Sequence, residues 1–179
     1  MSFRIRLATS ADAALISEVG KEAFYAAFAP DNTEEDMQMY LESAYYPEKQ
    51  LAELQDPANR FLLLEKDQVP IGFAKIMASK LSDNEVDIDD TEFLDKNLLL
   101  ISKIYLLPQF VGKGIGNLLM NECVLIAQDE GFEGIWLCVW QKNERAIKFY
   151  EKYELKKIGM TTFLLGKDKQ YDLVMAKLF

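Results

Sequence analysis

Gln109-Phe110-Val111-Gly112-Lys113-Gly114-Ile115-Gly116 stands between an almost unbroken apolar run, Leu98 to Leu107, and a stretch of helical apolar spacing from about Gly114 to Glu130. The apolar run stops at Pro108 and predicts a strand buried on both faces at the centre of a sheet. Strand, glycine turn and helix therefore succeed one another. Glycines let the backbone turn tightly and bring amide N–H groups close to an anion, and a helix start adds unpaired N–H groups and partial positive charge. A pyrophosphate is the guest such a turn suits, with Lys113 adding a charge and Gln109 a donor. The same glycines would also serve a bare strand-to-helix turn, and their spacing alone leaves both readings standing. Other nucleotide patterns fit less well. A P-loop needs a hydroxyl after its lysine, where this chain has Gly114, and the dinucleotide fingerprint belongs to the first strand-helix unit rather than past the midpoint.

Near the start of the chain, Phe3, Ile5 and Leu7 alternate with arginines as a half-buried strand does. Helical spacing runs from Ser10 through Phe24, resumes at Thr33 with acids in its first turn, and resumes again after Pro47. Phe61 to Glu65 and Ile71 to Met77 predict a hairpin turning at Lys66 to Pro70. Beyond the glycine turn and its helix come a strand at Ile135 to Trp140, a helix from Asn143 to about Tyr153, and two closing strands joined at Gly166 to Lys169. From Asp83 to Asp95, seven of thirteen residues are acidic and none is basic. That segment predicts a solvated surface loop with one helical turn around Asp89 to Leu94.

A second stretch agrees with the first. Gln109 to Gly114 has the form Gln-x-x-Gly-x-Gly, which resembles the acetyl-CoA pyrophosphate motif of the GNAT N-acetyltransferase superfamily, and Asn143-Glu144-Arg145-Ala146-Ile147-Lys148-Phe149-Tyr150 is similar to that family's Asn-x-x-Ala-x-x-Phe-Tyr helix. The order of elements over most of the chain fits as well. The resemblance implies a single α/β N-acetyltransferase domain over residues 1–179, with a mixed central sheet of about seven strands flanked by helices. Trp140-Gln141-Lys142-Asn143, and Phe163-Leu164-Leu165-Gly166 with Asp172-Leu173-Val174-Met175, are similar to PaiA-type bacterial spermidine/spermine acetyltransferases.

The resemblance also implies roles for single residues. Acetyl-CoA is the implied cosubstrate, with Gln109, Val111, Gly112, Lys113, Gly114, Ile115 and Gly116 at its pyrophosphate. Backbone N–H groups around Ile104, Tyr105 and Leu106 would face the thioester oxygen, Asn143 the pantetheine arm, and Tyr150 would protonate the departing thiolate. Each also has a plain structural use. Asn143 is a good helix N-cap, and Phe149 and Tyr150 share helical spacing with Ala146 and Tyr153, as packing residues do. A free alkylamine has a pKa of about 10.4, so the acceptor must lose a proton on the enzyme. PaiA-like relatives tend to carry a glutamate where this chain has Ser102 and a histidine near the position of Thr161, so the base is unassigned.

Composition narrows the partners. The chain has 179 residues, 50% apolar and 27% charged, enough for one globular core without metal or disulfide staples. It contains no histidine, which excludes Ser-His-Asp and Cys-His nucleophiles and His-ligated zinc, and no metal site is expected. A formal net charge of -9 argues against duplex nucleic acid and anionic membrane as partners and favours a cationic one. Outside the 83–95 segment the chain carries 22 acids against 20 bases, so the excess is local. Cys123 and Cys138 fit no zinc or redox spacing and are expected to be reduced and buried. No secretory signal or membrane span is expected, and a cytoplasmic location is the corresponding expectation. The leading expectation is acetyl transfer to a primary amine, a polyamine or similar small cation first, with protein amines and aminoglycosides open. A non-catalytic acyl-CoA-binding module is the alternative, and a homodimer is common for the fold.

Overall fold

In the computed structural model, which describes residues 2–179, β1 (Phe3–Leu7) pairs antiparallel with β2 (Arg60–Lys66), and β2 with β3 (Val69–Ala78). Asp67 and Gln68 join the latter pair with φ of 50° and 68°. Two consecutive left-handed residues make the turn whose twist matches a hairpin. Between β1 and β2 run α1 (Ala13–Phe28), α2 (Glu34–Ala44) and α3 (Pro47–Gln55). Thr33 caps α2 by accepting from the Asp36 amide, and Glu34, Glu35 and Asp36 occupy its positive end. Pro47 opens α3, where a missing N–H costs nothing.

The chain divides into two compact units. One takes the residues up to Ile76, Lys103–Cys123 and Leu165–Lys167; the other takes Met77–Ser102, Val124–Leu164 and Asp168–Phe179. The first holds the strand run β1-β2-β3 and the second half of β5 (Leu98–Leu106). Its core is aromatic, with Tyr105 packed edge-on against Phe73 at 5.9 Å, Phe24 at 6.2 Å and Tyr45 at 6.4 Å.

The second unit continues from the first half of β5 through β6 (Gly134–Trp140), β8 (Asp168–Leu178) and β7 (Lys156–Leu165) to β4 (Val86–Ile88). β5 and β6 are parallel, pairing Leu98 with Gly134, and β6 and β8 are antiparallel, pairing Cys138 with Val174. Also present are α4 (Gly116–Asp129), which begins in the first unit, and α5 (Glu144–Glu151). One face of this sheet packs Leu98, Leu100, Trp136, Val174 and Ala176 against Leu81 and Phe93.

Three expectations change. The sheet has eight strands rather than about seven, because the acidic segment contains β4, with Val86 paired to Thr161 and Ile88 to Gly159. Three residues are too few to show a period, and their acidic neighbours mask the alternation. The same segment buries Phe93 at the end of the one-turn helix Thr91–Phe93, so the loop is anchored by one core side chain while most of its acids stay exposed. β5 is fully buried over Leu98–Ile101 but not beyond, since Ser102 is exposed and Lys103 to Leu106 are partly so. Among the described residues no helix is long and apolar enough to cross a membrane, and no group of His, Cys, Asp and Glu is placed to hold a metal ion.

Candidate functional site

The glycine turn lies in the first unit. Pro108–Phe110 form one 3-10 turn after β5, leaving Gln109 exposed. Gly112 and Gly114 then take φ of 78° and 76°, a region L side chains adopt only at a cost of about 1–2 kcal/mol. A Cβ at Gly112 would meet nothing within 4 Å, so the glycine is there for its backbone and the space beside it is open. Gly112, Lys113 and Gly114 are all exposed. Asn117 closes the turn by donating from Nδ2 to the Gly114 carbonyl at 2.9 Å, and in the first turn of α4, which starts at Gly116, the Asn117 and Leu118 amides donate to the Gly114 and Ile115 carbonyls at 3.2 and 3.0 Å. A second cation that the motif did not signal stands close by, since Lys66 Nζ lies 5.4 Å from the centre of the Phe110 ring. An open turn with exposed amides and two lysines fits a pyrophosphate.

Upstream of the turn, Ile104, Tyr105 and Leu106 end β5, partly buried. The Tyr105 ring packs edge-on in the aromatic core. Gly72 of β3 brings the two strands into close approach, because a Cβ there would collide with the Tyr105 carbonyl oxygen and with Leu106. Beside this stretch is a charged cluster the motifs did not reveal. Glu53 of α3 accepts from Lys75 at 2.8 Å and lies 3.7 Å from Lys103, whose Nζ stands 5.0 Å above the Tyr45 ring. Burial pushes the Lys103 ammonium down to about 8 against the pull of Glu53. For Glu53 burial acts to raise the carboxyl, but Lys103, Lys75 and Lys49 outweigh it and hold it below the usual range.

In the second unit, Asn143 caps α5: its Oδ1 accepts from the Ala146 amide at 3.1 Å, which leaves the Nδ2 end of the side chain for other work. Tyr150 is buried and its ring meets Phe149 at 5.3 Å. The same unit holds a cavity of about 280 Å³. Leu100 and Ser102 of β5, Trp136 and Cys138 of β6, and Thr161 of β7 line it, with residues 84–86 at its edge. Its walls are fixed by Trp136 Nε1 donating to the Ser79 carbonyl at 2.8 Å and Thr161 Oγ1 donating to the Glu85 carbonyl at 2.7 Å. Cys138 is exposed to this cavity, contrary to the expectation of two buried thiols, whereas Cys123 is buried. Apolar sequence neighbours mislead here because alternate residues of a strand face opposite ways. Ser102 and Thr161, the two positions that depart from the PaiA-like pattern, thus share one cavity.

The GNAT acetyltransferase family profile matches residues 21–154. The chain belongs to the GNAT acetyltransferase family. It is an acetyl-CoA-dependent acyltransferase. The acetyltransferase is 32% identical over 163 residues to an uncharacterized N-acetyltransferase of Lactobacillus delbrueckii subsp. lactis, covering 89% of this chain and 87% of that one. It is 32% identical over 151 residues to an uncharacterized N-acetyltransferase of Mycobacterium tuberculosis strain H37Rv, covering 84% of this chain and 85% of the other. In fold it is similar to the PaiA N-acetyltransferase of Thermoplasma acidophilum crystallised in complex with coenzyme A, with a TM-score of 0.77, 23% identity and 100% of both chains covered. A GNAT N-acetyltransferase of Rhodopseudomonas palustris gives a TM-score of 0.75 at 19% identity, covering 100% of this chain and 97% of that one.

Within the acetyltransferase, Gln109 to Gly116 and Ile104 to Leu106 belong to the first unit, and Asn143 and Tyr150 to the second. Lys66, the Glu53 cluster and the cavity were not legible in the motifs. Each joins residues far apart in sequence, and no local period marks them.

Proposed function

We propose that this acetyltransferase acetylates a primary amine, with a polyamine such as spermidine as the leading acceptor, and that residues 1–179 act as one N-acetyltransferase domain. The observation that carries the acceptor class is the cavity of the second unit, whose one charged lining side chain is Glu85, set in the acidic segment. Asp83, Asp87, Asp89, Glu92 and Asp95 of that segment are exposed, while Asp90 is occupied by Lys156 at 2.9 Å. A cation is drawn to such a rim and an anion repelled. The family match runs from residue 21 to 154 and so takes residues from both units, which supports one domain.

In this reading the backbone of Val111 to Gly116, with Lys113 and Gln109, holds the pyrophosphate of acetyl-CoA. Bound acetyl-CoA supplies an acyl thioester to the amine. The backbone of Ile104 to Leu106 offers N–H donors to the thioester oxygen, the Asn143 amide meets the pantetheine arm, and the Tyr150 hydroxyl protonates the leaving thiolate.

The test mixes protein, acetyl-CoA and a panel of spermidine, spermine, a lysine peptide and an aminoglycoside, and monitors free thiol. Thiol release driven by the polyamines supports the reading. Release by the peptide or the aminoglycoside with none from the polyamines overturns the acceptor class. Tyr150→Phe should lower kcat while acetyl-CoA binding stays near the parent value, and equal loss of both would remove the acid role.

A further inference from the structure

Amide formation needs a group that removes a proton from the incoming ammonium, and neither Ser102 nor Thr161 can do so at neutral pH. The strand between their two walls supplies a carboxylate. β8 lies hydrogen-bonded between β6 and β7, both of which contribute residues to the cavity lining. The β6–β8 register sets Val174 opposite Cys138 and Asp172 opposite Trp140. Side chains two apart on a strand share a face, so Asp172 stands on the face of Cys138, Trp136 and Val174, one step beyond the fully buried Val174. Its Oδ1 is buried and has no hydrogen-bond partner among the described residues. Buried carboxylate oxygens are costly unless paired, and an ammonium held beside the lining residue Cys138, which feels the Asp172 charge, is a partner of the right sign.

We propose that Asp172 binds the acceptor ammonium and takes its proton, an inference that rests on the amine-acetyltransferase reading above. The ammonium R–NH3+ gives one proton to the Asp172 carboxylate. The freed nitrogen lone pair forms the C–N bond to the acetyl carbon, the C–S bond breaks with its electron pair going to sulfur, and the thiolate takes a proton from Tyr150. Tyr150 is restored by the second proton shed from nitrogen, and Asp172 returns its proton to water. The balance is R–NH3+ and acetyl-CoA in, and acetamide, CoA thiol and one proton out.

The surroundings suit this work. Burial, with no charged neighbour contributing, pushes the Asp172 carboxyl up to about 6, closer to the amine it must deprotonate while still ionised at neutral pH. The titratable group that feels its charge is Cys138 of β6, and on the neighbouring strand β7 Lys156 is already held by Asp90 at 2.9 Å. Although Cys138 opens onto the cavity, desolvation by the surrounding walls, with the Asp172 charge second, pushes its thiol up to about 12, so it stays protonated and does not compete as a base.

The experiment compares wild type, Asp172→Asn and Asp172→Glu by kcat against pH, using the fastest amine of the panel. The wild type should lose kcat as pH falls through about 6, and Asp172→Asn should lower kcat by roughly 100-fold or more without that acid limb, with the acetyl-CoA KM unchanged. Asp172→Glu should restore part of the rate together with an acid limb. A kcat within about threefold of wild type in Asp172→Asn, or an acid limb that survives the substitution, overturns the proposal. Thermal melts provide a readout independent of turnover. The folded carboxyl is raised above its ordinary 3.8, so wild-type stability falls as pH rises from there through about 6. Asp172→Asn should therefore melt at or above the wild-type temperature at neutral pH, with the gap closing in acid. A lower melting temperature, or failure to fold, shows that Oδ1 has a structural partner and overturns the proposal. If spermidine is inert while another amine releases thiol, the polyamine reading fails and Asp172 is judged on that amine. If no amine releases thiol from the wild type, both fall.

Discussion

Lys103 is held at 3.7 Å from Glu53 beneath an aromatic wall, and its ammonium is brought down to about 8 chiefly by burial. A lysine depressed on folding binds fewer protons in the folded than in the unfolded chain between about 8 and its ordinary 10.5, so its burial cost fades as pH rises through that window. Lys103→Met should stabilise the protein at neutral pH and flatten this alkaline rise in urea melts. Glu53→Gln does the reverse, stripping Lys103 and Lys75 of their shared partner. Because the pair still touches water, the expected loss is about 1–3 kcal/mol, less than for a fully buried pair. Asp12 behaves oppositely to Lys103. Its hydrogen bonds to Arg6, at 2.8 and 2.9 Å, hold the carboxyl down to about 2, so their contribution is complete above its ordinary 3.8 and is lost as pH falls toward about 2. Asp12→Asn should be less stable than wild type at neutral pH and indistinguishable from it in strong acid, by the same melts.

Among the elements, the strand-turn-helix unit is legible in the sequence because glycine, proline and apolar periodicity are local signals. Gly112→Ala should cost about 1 kcal/mol from its left-handed backbone alone and weaken acetyl-CoA binding further, measured by calorimetry. Gly72 carries no such signal, since its role is the close approach of a strand distant in sequence. Gly72→Ala should destabilise by about 1–3 kcal/mol in denaturant melts, because the new methyl meets the β5 backbone at Tyr105 rather than a flexible side-chain end. β4 is hidden in the sequence because a three-residue edge strand is defined by its partner β7, not by its own composition. The exposure of Cys138 is hidden for a related reason: on a strand the neighbours in sequence point away, and exposure depends on what covers one face.

For the whole molecule, the net charge of -9 is concentrated in one segment that folds over the second unit's sheet and borders its cavity. If that segment steers a polycation, Asp87→Asn with Asp89→Asn should raise the spermidine KM at low ionic strength and leave kcat alone, and added salt should erase the difference. Asp90 is best spared in that test because it already pairs with Lys156 and caps the Thr91–Phe93 turn. The order of elements, the glycine turn, the capped Asn143 helix and the family can all be read along the chain, because each is written in residues near one another in sequence. That Ser102, Cys138 and Thr161 line one cavity, that Lys103 loses water beside Glu53, and that Asp172 is left with an unpartnered oxygen emerges only when distant strands and helices pack together. Burial and the charge shifts it causes are set by neighbours from other strands and helices, and no local pattern encodes them.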